Sequence, residues 1–435
     1  MAAESTRQRI VLHFDINRTI LMSDAAGGRT MEDTVNYLLS ECTYGYATTD
    51  SSSPPTWTCN AIASSHTPPA ALPTTTTTTT PPTMNFDQQR LITYKQFVDD
   101  LYPYASAAST RDSRHAIDHI KAINKAAKHK RTALQSAFTG APDAPGQPVQ
   151  SSFAAVMRAL QFPVGTQRDA ATHLATVMPP SRLQAAWQQG RYYLLPSFLH
   201  FLCYLASPKV TEKQLDVKLV FRTFGDDIVE VKRELDLLVN GQHPVGLPAL
   251  PEHFRLDLTP DARCVGTFYR DGFGADGTAL AVGTLAKVPV STTLAQDGAS
   301  APNSFYATLD ETVEVIRGFE PIQDTLEDMF HKASTLALRD YWEWWSAHAE
   351  DGQYGKLLLV DEEKVTKHGE VVVFFDDHIE AHHAHIVDVR DVRSGTPMGF
   401  EKTRHKYLQR VEPIEAITDP NYFISLFEKH VAKAQ

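Results

Sequence analysis

Short apolar runs that end at polar residues recur along the chain. The first extends from Arg9 to Phe14 and stops at Asp15 and Asn17. Later runs of the same kind are Val217–Phe221, Lys356–Val360, Val371–Phe375 and His385–Val389. Helical patterns separate them, among them Glu311–Ala349, which holds three tryptophans, and a closing helix from about Asn421. Because strands that alternate with helices indicate parallel pairing, the sequence predicts an α/β fold with a doubly wound parallel sheet.

Two segments between the first run and the others depart from this pattern. Residues 47–86 are rich in Ser, Thr and Pro and include seven consecutive threonines, Thr74–Thr80. Such a segment buries too little apolar surface to offset its ordering entropy. Residues 87–190 instead show helical spacing without a strand-like run. We therefore predict a first part of the core in 1–46, a disordered insertion in 47–86, a helical domain in 87–190 and the rest of the core in 191–435.

Composition and charge limit the class of protein. The chain has 435 residues, enough for two or three domains, and its net charge is −11, which argues against a general nucleic-acid binder. No apolar run is long enough to cross a bilayer, and the first apolar run is too short for a secretory signal. We expect a soluble, cytoplasmic protein without a membrane partner. The four cysteines show no metal-binding spacing and are predicted to be free thiols.

Polar residues follow three of the predicted strands. Asp15 ends the first, Thr223 follows the second, and Asp376 and Asp377 follow another. Ligands of open parallel sheets bind outside the carboxyl ends of the strands, so these side chains are expected to converge there. A lysine could complete the set. Lys356 is the choice, with Lys364 and Lys367 as competitors, because 362–368 has the polar composition of an exposed loop.

This arrangement resembles the haloacid dehalogenase-like (HAD) superfamily. Asp15-Ile16-Asn17-Arg18-Thr19 matches the family's first motif, Asp-x-Asp-x-Thr/Val after a strand, except at its third position. Thr223 matches the second motif, Lys356 the third, and Asp376-Asp377 the acidic pair of the fourth. The resemblance covers roughly residues 9–46 and 191–435. It implies a Rossmannoid core, and it identifies the helical insertion as a cap domain.

The resemblance also implies a reaction. Asp15 would attack phosphorus and form an aspartyl-phosphate that water hydrolyses. Mg²⁺ would be held by Asp15, the backbone carbonyl of Asn17, and Asp376 or Asp377. Thr223 would donate a hydrogen bond to a phosphoryl oxygen, and Lys356 would neutralise charge. The substrate would be a small phosphorylated metabolite.

Asn17 departs from the family's pattern. Family phosphatases have at this position an aspartate that protonates the leaving group, and an amide cannot transfer a proton at neutral pH. Losing a general acid–base costs about 10²–10⁴-fold in rate. A second hypothesis is therefore a catalytically weak HAD-fold protein that binds a phosphorylated ligand or a protein partner. A metal-free dehalogenase would also tolerate Asn17, but the acidic pair argues against it.

Four other features have two interpretations each. The histidines at 378, 382, 383 and 385 could bind a transition metal, but they cannot share one helical face. Gly272–Gly277 matches GxGxxG, yet no helix pattern follows it, so a turn is predicted. Asp226-Asp227 is interpreted as a solvated turn or helix start. Seven basic residues in 111–131 form either a solvated helix face or a surface that attracts an anionic substrate.

Overall fold

The structure is a computed structural model that describes residues 7–22, 29–48, 54–62, 89–105, 114–163, 178–270, 274–286, 313–348, 350–381 and 384–434. It contains two compact units. The first comprises Met1–Leu21, Phe162–Val411 and Asp419–Gln435, and the second comprises Met22–Gln161 and Glu412–Thr418. Both ranges include residues outside the described segments.

The strands and helices of the described residues are numbered in chain order. The strands are β1 (Gln8–Asp15), β2 (Thr43–Thr48), β3 (Thr56–Ile62), β4 (Gln89–Thr93), β5 (Leu215–Thr223), β6 (Val265–Arg270), β7 (Thr278–Val282), β8 (Glu314–Arg317), β9 (Thr335–Arg339), β10 (Lys356–Val360), β11 (Val371–Asp376), β12 (Ile379–Ala381), β13 (Ala384–His385), β14 (Val387–Asp391) and β15 (Leu408–Arg410). The helices are α1 (Met31–Cys42), α2 (Tyr94–Leu101), α3 (Arg114–Ser136), α4 (Gln150–Ala159), α5 (Arg182–Gln188), α6 (Pro196–Leu205), α7 (Pro208–Thr211), α8 (Ile228–Val239), α9 (Phe319–Lys332), α10 (Trp342–Ala347), α11 (Glu362–His368), α12 (Phe400–Thr403), α13 (Pro413–Thr418) and α14 (Tyr422–Ala434).

The first unit is built on an eight-stranded sheet in the order β15-β11-β1-β5-β9-β6-β7-β8. The pairs from β15 to β6 are parallel, whereas β7 and β8 continue the sheet antiparallel. The protein is therefore α/β with a mixed, mostly parallel central sheet, and the predicted sheet differs at its β7–β8 edge. β1 lies between β11 and β5, which explains why residues 10–14 are all buried and, except for His13, apolar.

Aromatic side chains fill one face of this sheet. Phe14 of β1 stacks on Phe375 of β11 with ring centroids 4.7 Å apart. Helices α6 and α14 cover both rings, with Phe198 of α6 5.1 Å and Phe423 of α14 5.9 Å from Phe14. Burying each such ring contributes roughly 1.5–3 kcal/mol. Helix α9 and strands β10 and β14 pack on the opposite face, which carries Val11, Val220 and Phe374.

Two sequence predictions for the first unit are corrected. The predicted helix Glu311–Ala349 is interrupted by β8 and by β9, and the five residues of β9 are all buried beside β5. An apolar run this short cannot be assigned from periodicity alone. The predicted strand Lys356–Val360 forms, but it pairs with β14 in a separate two-stranded sheet. The GxGxxG segment was predicted to be a turn. Its described part forms a turn at Ala275–Gly277 that leads into β7, as predicted. Residues 271–273 lie outside the described residues.

The second unit combines helices with a three-stranded antiparallel sheet, β3-β2-β4. Trp57 of β3 is 8% exposed, and its ring lies 5.2 Å from Tyr94 and 6.0 Å from Phe138. The Trp57 ring lies directly over Gly45 of β2, where a β carbon would come within 2.5 Å of it. A side chain at position 45 would displace the tryptophan, so glycine permits this packing.

These strands correct the predicted segment boundaries. The disordered insertion 47–86 is wrong for 56–62, which form β3, while 63–88 lie outside the described residues. The domain 87–190 is not purely helical, since it contains β4. The described residues of 22–46, a range placed in the core by sequence, belong to the second unit, and the described residues of 162–190 belong to the first. The basic stretch is helical over Arg114–Ser136, as its spacing indicated.

Two smaller predictions concern the whole chain. All four cysteines are free thiols, as predicted. Of the helices in the described segments, none is long and apolar enough to cross a bilayer.

Candidate active site

Asp15 and Asp376 end two neighbouring strands and share one cation. Lys356 Nζ lies 2.5 Å from Asp15 Oδ1 and 2.8 Å from Asp376 Oδ2. Lys356 is the first residue of β10, only 2% of its surface is exposed, and its backbone nitrogen donates to Ile386 across 2.6 Å. The competing lysines do not reach this cluster, because Lys364 pairs with Glu327 and Lys367 with Glu363. Of the three candidates, Lys356 is the one that lies at the site.

The turn after β1 connects Asp15 to Asp377. Arg18 has a φ of 60°, a left-handed conformation that turns the chain back so that its nitrogen donates to Leu21 O. Arg18 Nη2 lies 3.0 Å from Asp377 Oδ2. Thr19 Oγ1 accepts from Asp377 N at 3.1 Å and lies 3.4 Å from Asp15 Oδ2. The backbone and side chains of this turn thereby hold the two acidic residues together.

Three carboxylates lie close to one another here. Asp15, Asp376 and Asp377 are buried, and each offers an oxygen within 4.8 Å of the others. Asp376 Oδ1 also accepts from His378 N at 2.8 Å, which fixes the orientation of that carboxylate. Hard divalent cations take oxygen ligands, so this donor set fits Mg²⁺ better than a transition metal. The cluster contains no histidine, and His382 and His383 lie outside the described residues.

The charges in this cluster alter one another's ionisation. Burial raises the pKa of Asp15 to about 8; Lys356 opposes the rise, and Asp376 and Asp377 add to it. Burial disfavours the charge on Lys356, but Asp15, Asp376 and Asp340 outweigh it and raise the pKa of the ammonium. Lys356 therefore stays a cation at neutral pH. Negative charge on the three carboxylates needs further positive charge to be stable at this depth.

Thr223 and Asn17 lie apart from the lysine bridge but near each other. Thr223 ends β5 beside β1, and its hydroxyl accepts from Gly225 N at 2.8 Å. A β carbon on Gly225 would lie 3.4 Å from Thr223 Oγ1 and 3.8 Å from Asn17 Nδ2. Thr223 makes no hydrogen bond to the three carboxylates of the cluster. The prediction that Asp15 and Thr223 lie on neighbouring parallel strands is confirmed. Because the Thr223 hydroxyl accepts from Gly225 N, it retains its own hydrogen for another acceptor.

Asp227 is a site residue that the sequence pattern did not indicate. Asn17 Nδ2 donates to Asp227 Oδ2 at 2.8 Å, and Arg182 Nη1 lies 2.6 Å from Asp227 Oδ1. Asp227 is 2% exposed and precedes α8, so a helix start is correct but a solvated turn is wrong. The neighbouring Asp226 fits the solvated interpretation, since its side chain is 60% exposed. In the sequence, the apolar Ile228 directly after Asp227 was the available sign that Asp227 is buried.

Arg222 and Asp340 form a second buried ion pair that sequence reasoning missed. Arg222 is the register partner of Asp15 on β5, and it donates to Asp340 through Nε at 3.0 Å and Nη2 at 2.5 Å. Both side chains are at most 2% exposed. Asp340 is also one of the acidic groups that raise the pKa of Lys356. An arginine directly after the apolar run Val217–Phe221 was the signal, because a buried guanidinium requires a carboxylate partner.

Comparisons of the chain with protein-family models, with curated proteins and with solved structures found no match.

Proposed function

We propose that the protein is a Mg²⁺-dependent phosphohydrolase or phosphotransferase of the HAD type that acts through an aspartyl-phosphate on Asp15. One observation carries the proposal: the Lys356 ammonium lies between Asp15 and Asp376, with Asp377 in the same buried cluster. An isolated structural ion pair needs one carboxylate. Among the described residues, three buried carboxylates with two cations, Lys356 and Arg18, are an arrangement suited to an additional cation and an anionic substrate.

Each residue has a role in this proposal. Asp15 attacks phosphorus through a carboxylate oxygen, and Lys356 orients that carboxylate and offsets charge on the phosphoryl group. Thr223 donates its hydroxyl hydrogen to a phosphoryl oxygen. Asp15, Asp376 and Asp377 would hold Mg²⁺, with the carbonyl of Asn17 as a further ligand. Bound Mg²⁺ supplies the positive charge that reduces repulsion between Asp15 and the phosphate.

Asn17 limits the range of substrates. Its amide donates to Asp227 and has no proton to give a leaving group. The proposed enzyme therefore acts on phosphates whose leaving group departs as a stable anion. The second candidate is a binder of a phosphorylated ligand or partner. The hydrogen bond from Asn17 to Asp227 favours this binder, because it gives the side chain at position 17 a structural role as the partner of a buried carboxylate. The insertion 87–190, which the resemblance identifies as a cap domain, would select the substrate.

Turnover of an aryl phosphate with and without Mg²⁺ tests the proposal. We expect slow turnover by the wild-type protein that requires Mg²⁺ and is abolished by Asp15→Asn. Asp216→Asn is the matched control, since Asp216 lies at the amino end of β5, opposite to Thr223. Binding of inorganic phosphate without turnover by any form would support the binder, and failure to bind Mg²⁺ would refute the enzyme.

A further inference from the structure

Three aromatic side chains form a continuous group beside the candidate active site. Phe224 stacks on Trp345 with centroids 5.7 Å apart and an interplanar angle of 19°. Trp345 meets His378 edge to face at 5.8 Å and 84°. Phe224 directly follows Thr223, and His378 directly follows Asp377. We call Phe224, Trp345 and His378 the aromatic wall.

The aromatic wall is close to the reacting groups. Lys356 Nζ, which contacts both Asp15 and Asp376, lies 5.3 Å from the centroid of the Phe224 ring. The backbone nitrogen of His378 donates to Asp376 Oδ1 at 2.8 Å. The wall is therefore attached to the acidic cluster at two points, through Lys356 and through Asp376.

The aromatic wall extends from the hydrophobic core, to which Trp345 belongs, to two partly exposed side chains. Trp345 is 6% exposed, but Phe224 and His378 at its two ends are only half-buried. In contrast, the aromatic side chains on the sheet face around Phe14 are fully buried: Phe14, Phe198 and Phe423 are at most 1% exposed. In addition, Trp345 Nε1 is buried and has no hydrogen-bond partner. Buried donors without a partner are rare in proteins, and an acceptor on a ligand would satisfy this one.

We propose that the aromatic wall receives the leaving group of the substrate and that the substrate is consequently an aryl phosphate. The inference rests on the proposed function and names the substrate class of that same site. Planar rings bind to aromatic side chains by stacking and edge contacts. A phenolic leaving group is also the kind that departs without a proton donor, and Asn17 provides none. Two separate features of the site thus favour the same chemistry.

The proposed reaction balances without another reactant. An Asp15 carboxylate oxygen forms a bond to phosphorus while the bond from phosphorus to the phenolic oxygen breaks, and the phenolate leaves with the electron pair. Water then forms a bond to phosphorus, the bond from phosphorus to Asp15 breaks, and dihydrogen phosphate is released. Asp15 is regenerated as a carboxylate, and the phenolate takes up a proton from solvent according to its own pKa.

The test compares two substrates that both leave without a proton donor, 4-nitrophenyl phosphate and acetyl phosphate, of which only the first has a ring. We expect Phe224→Leu to lower the ratio of kcat/KM for the aryl over the acyl phosphate about three- to tenfold, the loss of one aromatic contact. Phe224→Tyr should keep the ratio. Trp342→Leu is the control, because Trp342 lies in the same helix as Trp345 but is 50% exposed and is not part of the aromatic wall. An unchanged ratio in Phe224→Leu overturns the inference.

A binding measurement separates this inference from the proposed function. By calorimetry, phenylphosphonate should bind the wild-type protein more tightly than methylphosphonate, and Phe224→Leu should reduce that preference by a similar factor. If no phosphate is turned over but the preference exists and depends on Phe224, the proposed enzyme is wrong while the aromatic site stands. The alternative outcome is that acetyl phosphate is turned over while neither the phosphonate binding preference nor the kcat/KM ratio depends on Phe224. In that case the proposed role of the aromatic wall is wrong and the proposed enzyme activity stands.

Discussion

Asn17 donates its side-chain amide hydrogen to Asp227 across 2.8 Å, and Asp227 is buried with Arg182 as its other partner. The position where the HAD resemblance implies a general acid therefore holds a donor to a neighbouring carboxylate. Any acid introduced at position 17 will face Asp227 directly.

The first prediction concerns catalysis by Asn17→Asp. The new carboxyl lies beside a buried carboxylate, which raises its pKa and keeps it protonated nearer to neutral pH. It can then supply the missing proton. We expect turnover of an alkyl phosphate, almost absent in the wild-type protein, to rise by about 10²–10⁴-fold, with a smaller change for an aryl phosphate. Steady-state kinetics on both substrates measure this, and equal changes for both would contradict it.

The second prediction compares two lysines. Lys356→Met leaves Asp15 and Asp376 without their shared cation, and removing one partner of a buried ion pair costs about 3–5 kcal/mol. Lys364→Met is the control: this side chain is 36% exposed and pairs with Glu327, so the expected cost is below about 1 kcal/mol. Denaturant unfolding in EDTA measures both. Millimolar Mg²⁺ should restore part of the stability of Lys356→Met, and equal costs for the two variants would show that Lys356 is not essential to the cluster.

The third prediction concerns pH. Burial raises the pKa of Asp15 from an ordinary value of 3.8 to about 8. Between about pH 4 and pH 8 the folded protein keeps a proton on Asp15 that the unfolded chain has released. Asp15 therefore lowers the free energy of unfolding as the pH rises from about 4 to 8, and it adds no further change above about pH 8. In EDTA, Asp15→Asn should therefore become increasingly more stable than wild type over that range, by about 1 kcal/mol or more at pH 8.

Metal is the control for this pH dependence. Mg²⁺ favours the ionised form of Asp15, so saturating Mg²⁺ should stabilise wild type and cancel the advantage of Asp15→Asn. Stability curves of the two proteins that stay parallel from pH 4 to pH 8 in EDTA would contradict the raised pKa.

The fourth prediction concerns the segment interpreted from sequence as one disordered insertion. Trp57 is buried in the second unit, and its Nε1 donates to Ile92 O at 3.2 Å. Trp57→Ala should cost about 3–5 kcal/mol, as for other buried large aromatic residues. Deleting Thr74–Thr80 should leave the Tm within error, because this run offers no apolar surface. A tolerated Trp57→Ala would show that β3 contributes little to the second unit.

Some features could be predicted from local patterns because a local property causes them. The apolar runs before Asp15 and Asp376 are buried strands between other strands, which requires apolar residues on both faces. β9 could not be recognised, because its short apolar run, 336–338, fits a buried helix as well as a strand. β3 was hidden by its Ser-, Thr- and Pro-rich surroundings, although Trp57 alternates with exposed Thr58 in the way typical of a half-buried strand.

The sequence by itself determined the α/β class, the order of the strand-end residues and the chemical types available to the site. These follow from periodicity and side-chain identity along a short stretch of chain. Only the tertiary structure decided that Lys356 rather than Lys364 contacts Asp15, that Asp227 is buried against Asn17, and that Phe224, Trp345 and His378 meet. Those contacts join residues far apart in the chain, and they depend on the strand order, which brings the ends of β1, β5 and β11 side by side.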